Sequence, residues 1–152
     1  MLNKALIPNR QPESHTLVPG RAIMLKIRWP DEEEIKIINI YAPVQDHKQP
    51  AFWDKVETTR HTKRLPHPDF LMGDFNITEE LINQSPPCED NCTTTDTLRE
   101  IRLAWEIQDH WRHTYPKETL FTCRSTQNEK TTLLRLDRIY TAKKHTQTVF
   151  EW

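Results

Sequence analysis

"DFLMGDFN", residues 69–76, is a short apolar run that stops at a glycine and passes directly into an acid, a phenylalanine and an amide. The chain holds only two glycines among 152 residues, so one placed here calls for a reason. A nearly unbroken apolar run bounded by turn residues is the signature of a strand buried on both faces, and the strand is expected to end at Gly73. A glycine there lets the backbone turn sharply or lets a ligand approach closely. In an extended chain residues i and i+2 face the same way, which predicts that Asp74 and Asn76 point into one cleft while Phe75 points to the core. A carboxylate beside an amide suits phosphate hydrolysis: the acid can orient or deprotonate a water, and the amide can donate to a phosphoryl oxygen. Gly-Asp-x-Asn is also ordinary turn chemistry, with Asp and Asn bonding to nearby backbone. Four residues leave both readings open.

Upstream, the β-rich stretches 21–29 and 34–42 flank "PDEE", whose proline and acidic residues predict the turn of a hairpin. The segment 46–64 places Phe52, Val56 and Trp53 on one side with Pro50 in a first turn and basic residues near the end, which predicts a helix. Downstream, 78–95 is polar, holds consecutive prolines and has no period, and reads as an irregular surface loop. A second helix is expected over 96–107, with Asp96 as N-cap and Leu98, Ile101, Leu103 and Trp105 as its apolar face. Further strands are expected at 119–125 and 133–141. This order predicts a layered α/β or α+β domain.

The length fits one domain, and hydrophobic residues make up 36% of it, below the roughly 45–50% (glycine included) of typical soluble domains. Opposed totals of 21 basic and 22 acidic residues leave a net charge of -1, so no global field holds a polyanion and any nucleic-acid contact must be local. A small nucleic-acid-binding module, which needs a basic face, is disfavoured. Three cysteines, no apolar run approaching the ~20 residues of a membrane span, and no signal-peptide core predict a reduced, intracellular protein without a membrane partner.

The segments "INIYAPV" (38–44), "LMGDFN" (71–76) and "LRLDRIY" (134–140) follow one another on expected strands. Together they resemble the endonuclease/exonuclease/phosphatase superfamily. "YAP…FW" (41–53), "DHWR" (109–112), "FTCRS" (121–125) and "RLDRIY" (135–140) resemble in particular the apurinic-endonuclease-like domain of non-LTR (LINE-type) retrotransposon polyproteins. The resemblance runs from about Pro19 onward, which leaves 1–18 as a polar lead-in, open to disorder, and 19–152 as a partial domain. It implies two sheets packed face to face with helices outside, and Mg²⁺-dependent nicking of DNA beside a reverse transcriptase in one longer polyprotein, working in the nucleus. It also implies roles for four residues. Tyr41 would hydrogen-bond the scissile phosphate, Asp74 would position or activate the attacking water, Asn76 would hold a phosphoryl oxygen, and Asp137 would orient a catalytic histidine. Trp111 and Arg112 would be structural.

Two pieces that the resemblance implies do not appear in the sequence: a strand before Tyr41 carrying a metal-binding glutamate, and a Ser-Asp-His motif after "RLDRIY". The QDH triplets at 45–47 and 108–110 precede "RLDRIY" and are in the wrong order, so His47 and His110 are read as structural. The expected consequence is a chain without useful activity of its own. A non-catalytic remnant of such a domain, or a phosphatase of the same superfamily, are the alternatives. Cys88, Cys92, His110 and His113 have the wrong spacing for a zinc finger. The tripeptides at 76–78 and 91–93 match glycosylation acceptors by chance, and the basic clusters at 60–64 and 142–145 are candidates for phosphate contact.

Overall fold

Alternating apolar and polar residues make the first half of the chain a run of strands. β1 (Glu13–Val18), β2 (Ala22–Arg28) and β3 (Glu34–Tyr41) pair antiparallel in succession, with Ala22 opposite Ile40 and Arg28 opposite Glu34. The computed structural model describes residues 12–28, 34–88, 92–127 and 129–146, so the expected turn at 30–33 lies outside the described residues. The lead-in needs correction, because residues 13–18 form β1. It is the edge strand of the sheet and buries only Leu17, which is why it reads as polar.

A 3-10 turn, Asp46–Lys48, then delivers α1 (Gln49–Thr62), whose Phe52, Trp53 and Val56 are buried as their spacing predicts. β4 (Phe70–Asp74) runs parallel to β3, and the crossover through α1 is the connection that parallel neighbours require. After it come a 3-10 turn (Leu81–Asn83), β5 (Gln84–Ser85), α2 (Cys92–Ala104), β6 (Ile107–Gln108), α3 (His110–Thr114), β7 (Cys123–Gln127), β8 (Lys130–Leu134) and β9 (Asp137–Ala142). The strands form a six-stranded sheet ordered β1-β2-β3-β4-β9-β6 and a three-stranded sheet ordered β5-β8-β7. This is the mixed α/β architecture with two sheets that the sequence predicts.

The second half departs from the sequence reading in four places, the first being that the strand expected at 119–125 runs from Cys123 to Gln127. The loop at 78–95 contains the 3-10 turn and β5, and its Asn83 is buried. α2 starts at Cys92, so Asp96 lies inside the helix, and Leu103 is 71% exposed. At about 100° per residue Leu98, Ile101, Arg102 and Trp105 share the inward stripe while Leu103 points well away from Leu98. The stretch 133–141 is two strands in different sheets, because the chain leaves β8 at Leu134 and enters β9 at Asp137.

One face of the six-stranded sheet is covered by α1 and α2, where Met24, Ile38, Ile40, Leu71 and Tyr140 pack with Trp53, Val56 and Leu98. Side chains that alternate to the other face include Ile23 and Ile139, 42% and 39% exposed, and a cavity of about 360 Å³ opens there between Met72, Ile139, Trp111 and Leu120.

Gly73 keeps the strands of this sheet in place. Its φ is +131°, and a Cβ added to it would lie 2.0 Å from the carbonyl oxygen of Ile40, its register partner on β3. The close neighbour is backbone rather than a ligand, and β4 continues one residue further, to Asp74. Gly73→Ala should therefore separate β3 from β4 and cost more than ~4 kcal/mol. Gly20→Ala, at φ +67° with nothing within 4 Å of the new Cβ, should cost only about 1–2 kcal/mol. Thermal unfolding followed by circular dichroism checks both, and equal losses would contradict the assignment.

Candidate active site

Three adjacent strands bring the site together. Tyr41 at the end of β3 is the register partner of Asp74 at the end of β4, and Asp74 is the partner of Asp137 at the start of β9. Ile38, Leu71 and Tyr140 mark the core face of these strands, so alternation sends Tyr41, Asp74 and Asp137 together to the opposite face. Tyr41 is 49% exposed. Its ring lies 5.4 Å below the Arg21 guanidinium, and Arg21 Nη1 donates to the Tyr41 carbonyl at 3.2 Å.

Asn76 reaches the same place by a route other than the one expected. It is not extended: its φ is +52°, a left-handed conformation that asparagine tolerates better than most residues. Its backbone N–H donates to Asp74 Oδ1 at 2.9 Å and its Nδ2 donates to the Ala42 carbonyl at 2.8 Å. The turn reading of Gly-Asp-x-Asn applies, and the turn folds Asn76 back beside Asp74. Phe75 is fully buried, as expected.

Buried polar groups hold these segments. The side-chain amide of Gln49 donates to the Pro43 carbonyl at 2.8 Å and the Phe75 carbonyl at 2.9 Å, and its oxygen accepts from the Trp53 indole at 3.2 Å. Glu79 binds Arg102, the Tyr140 hydroxyl and Arg138, the last at 3.0 Å. Asp109 caps α3 by accepting from the Arg112 N–H at 3.0 Å, and it takes a two-armed contact from Arg135 at 2.6 and 3.1 Å. Trp111 stacks on Arg135 at 4.5 Å, and Arg112 donates to Asn83 Oδ1 at 2.6 Å. "DHWR" and "RLDRIY" are therefore two sides of one buried junction.

Of the other residues weighed from sequence, His47 is exposed in the 3-10 turn before α1 and His110 is buried in α3. Asn91 and the side chains of residues 92 and 93 lie outside the described residues. The basic cluster at 60–64 closes α1 and leads into the start of β4, and Lys143–His145 follow the end of β9. The second is at the end of the sheet remote from Asp74 and Asp137, and in the first Lys63 Nζ donates to the Thr16 carbonyl on edge strand β1 at 2.9 Å. Arg60 is committed to Glu57, and Lys144 and His145 to Asp69. Sequence reading missed Gln49, Glu79, Asp109 and Arg135; a polar residue at a core position of α1 was the one available signal, for Gln49.

Burial raises the Asp74 carboxyl above its ordinary range. The neighbouring Asp137 pushes it the same way, while the Asn76 N–H and the Arg138 charge pull it down. Two hard carboxylates in one register line fit a Mg²⁺ ion, which is commonly held by one or two carboxylates with waters and phosphate oxygens completing its shell. Among the described residues no cluster of three or more His, Cys, Asp and Glu that could hold a metal ion is found.

This arrangement of sheets and helices is the endonuclease/exonuclease/phosphatase fold, as the sequence resemblance implies. Among the solved structures that share it is the endonuclease domain of TRAS1, a telomere-specific non-LTR retrotransposon, at a TM-score of 0.63 and 15% identity over 93% of this chain and 60% of that one. The AP endonuclease LMAP from Leishmania major matches at a TM-score of 0.64 and 16% identity over 87% of this chain and 49% of that one. In sequence the chain is 26% identical over 133 residues to the Transposon TX1 uncharacterized 149 kDa protein of Xenopus laevis, a match over 86% of this chain and 10% of that protein. No protein-family model matches it.

Two outcomes follow from the site's electrostatics. An acid whose folded pKa is raised favours the folded state below its unfolded pKa, near 3.9, and that advantage is lost as pH rises through the folded value. Asp74→Asn should therefore raise the melting temperature at pH 7, with the gap closing toward pH 3; a lower melting temperature at pH 7 would refute this. At the buried junction, Asp109→Ala strands Arg135, whose side chain is 3% exposed, and should cost ~3–5 kcal/mol in chemical denaturation.

Proposed function

We propose that this chain is part of the DNA-nicking endonuclease domain of a retrotransposon-type protein, acting in the nucleus. The observation that carries the reading is the placement of Tyr41, Asp74 and Asp137 abreast on three strands of a fold shared with a retrotransposon endonuclease and an AP endonuclease.

In this reading Asp74 holds the attacking water in line with the phosphorus, and its raised carboxyl is suited to accept a proton. Asn76 has one amide hydrogen committed to Ala42 and a second for a phosphoryl oxygen. The exposed Tyr41 hydroxyl donates to another. Asp137 is the acid that steers a histidine, which a complete domain supplies after "RLDRIY". The glutamate that the resemblance places on a strand before Tyr41 would be the main holder of Mg²⁺, which offsets charge developing on the phosphoryl and leaving oxygens. In a longer polyprotein the nick would prime an accompanying reverse transcriptase.

The test is nicking of supercoiled plasmid with Mg²⁺. It compares the 152-residue chain, a chimera completed with the TRAS1 endonuclease segments that the chain does not match, and the chimera with Asp74→Ala. Groups that act as a unit lose most of their effect when one is missing, so the chain alone should give background cleavage and Asp74→Ala should lower the chimera's rate ~10³-fold or more. A folded chimera that nicks equally well with Asp74→Ala would refute the role of Asp74. Turnover of sugar or lipid phosphates in place of plasmid would assign the site to a phosphatase.

A further inference from the structure

We propose that Thr122 is the positioning residue that sets Asp137 against Asp74. The chain changes sheets between Leu134 and Asp137, so the amides there lie at the seam between two ladders. Thr122 supplies their acceptor: its Oγ1 accepts from the N–H of Leu136 at 3.0 Å and from the N–H of Asp137 at 3.0 Å. A hydroxyl oxygen has two lone pairs, and both are engaged. Thr122 is itself fixed, because its own N–H donates to the Leu134 carbonyl at 2.8 Å.

The clamp reaches Asp74 as well. The Leu136 carbonyl, on the peptide whose N–H side is Asp137, accepts from the Phe75 N–H at 2.9 Å. Phe75 directly follows Asp74. One hydroxyl therefore orients the peptides on the N-terminal side of Asp137, and one further hydrogen bond passes that orientation to the residue after Asp74. From the other direction Arg135 is tied to Asp109, so the seam is held at successive residues. This also gives "FTCRS" a role: its threonine carries the clamp.

Both donor amides lie at exposed positions near Thr122, so water can replace the hydroxyl when it is removed. Loss of the oxygen should thus cost direction more than folding, and this separates a positioning role from a structural one. Serine keeps the oxygen; valine keeps the shape without it.

The proposal rests on the reading of Asp74 and Asp137 as site acids, but its first test needs no activity. Amide hydrogen exchange by NMR is compared in the 152-residue chain, Thr122→Val and Thr122→Ser. Thr122→Val should speed exchange at Leu136, Asp137 and Phe75 by about tenfold or more, with Leu71 and Tyr140 unchanged, and Thr122→Ser should match wild type. If Thr122→Val does not fold, Thr122→Ala is read in its place. Unchanged exchange at all three amides, or a Thr122→Ser variant that behaves like Thr122→Val, overturns the proposal. In the plasmid-nicking chimera Thr122→Val should lower kcat with KM unchanged. A chimera that never nicks counts against the nuclease reading and leaves the exchange result to decide this one.

Discussion

The approach of β4 to β3 at Gly73 is the constraint on which the rest depends. A side chain at that position has no room above the Ile40 carbonyl, so the close pairing fixes Ile40 against Gly73 and, one residue on, Tyr41 against Asp74. Because side chains alternate with period two, a one-residue slip in either strand would turn its functional group into the core. β9 inherits the same register and adds Asp137 to the row. The glycine contributes no side chain of its own; it sets the alignment of Tyr41, Asp74 and Asp137.

Around this row the protein spends buried polar contacts where an apolar core would serve stability better. Replacing a buried ion pair by well-packed apolar residues is often neutral or stabilising, yet Asp109 and Arg135 are buried together, and Glu79 sits under Arg102, Arg138 and Tyr140. These contacts have direction, which apolar packing lacks. They occur where the chain turns out of a sheet or passes between sheets, places where the ladder no longer dictates orientation.

Legibility in the sequence followed how local the cause was. α1 was readable because Phe52, Trp53 and Val56 repeat at helical spacing, and β4 because its apolar run is short and ends at a glycine. The convergence of Tyr41, Asp74 and Asp137 came from the order of three motifs, and the pairing of their strands agrees with it. β1 stayed hidden because an edge strand with one buried side chain shows almost no apolar pattern. The left-handed turn at Asn76 looks like strand continuation, since Asp-x-Asn has the same residues either way. The break at Arg135 could not be seen because "LLRLDRIYT" reads continuously as strand, and nothing local says that Asp109 waits for its arginine. Thr122 is the extreme case: one hydroxyl among many, whose meaning comes entirely from two amides more than a dozen residues away.

The junction between Ile77 and Arg138, 61 residues apart and hydrogen-bonded directly, closes a large ring of chain. The entropy lost in closing such a ring grows only with the logarithm of its length, so doubling the ring would add about 0.6 kcal/mol. Within that ring the fixed points include Glu79, Asn83, the buried Leu98 and Trp105, the pairing of β6 with β9, the Asp109 to Arg112 turn and Thr122. Exposed loop stretches between them, such as the proline-bearing one after β5, can lengthen or shorten at little thermodynamic cost while the acids at the sheet end keep their places. The architecture therefore leaves the rim around the site free to vary in size and reach while the row of acids beneath it stays fixed.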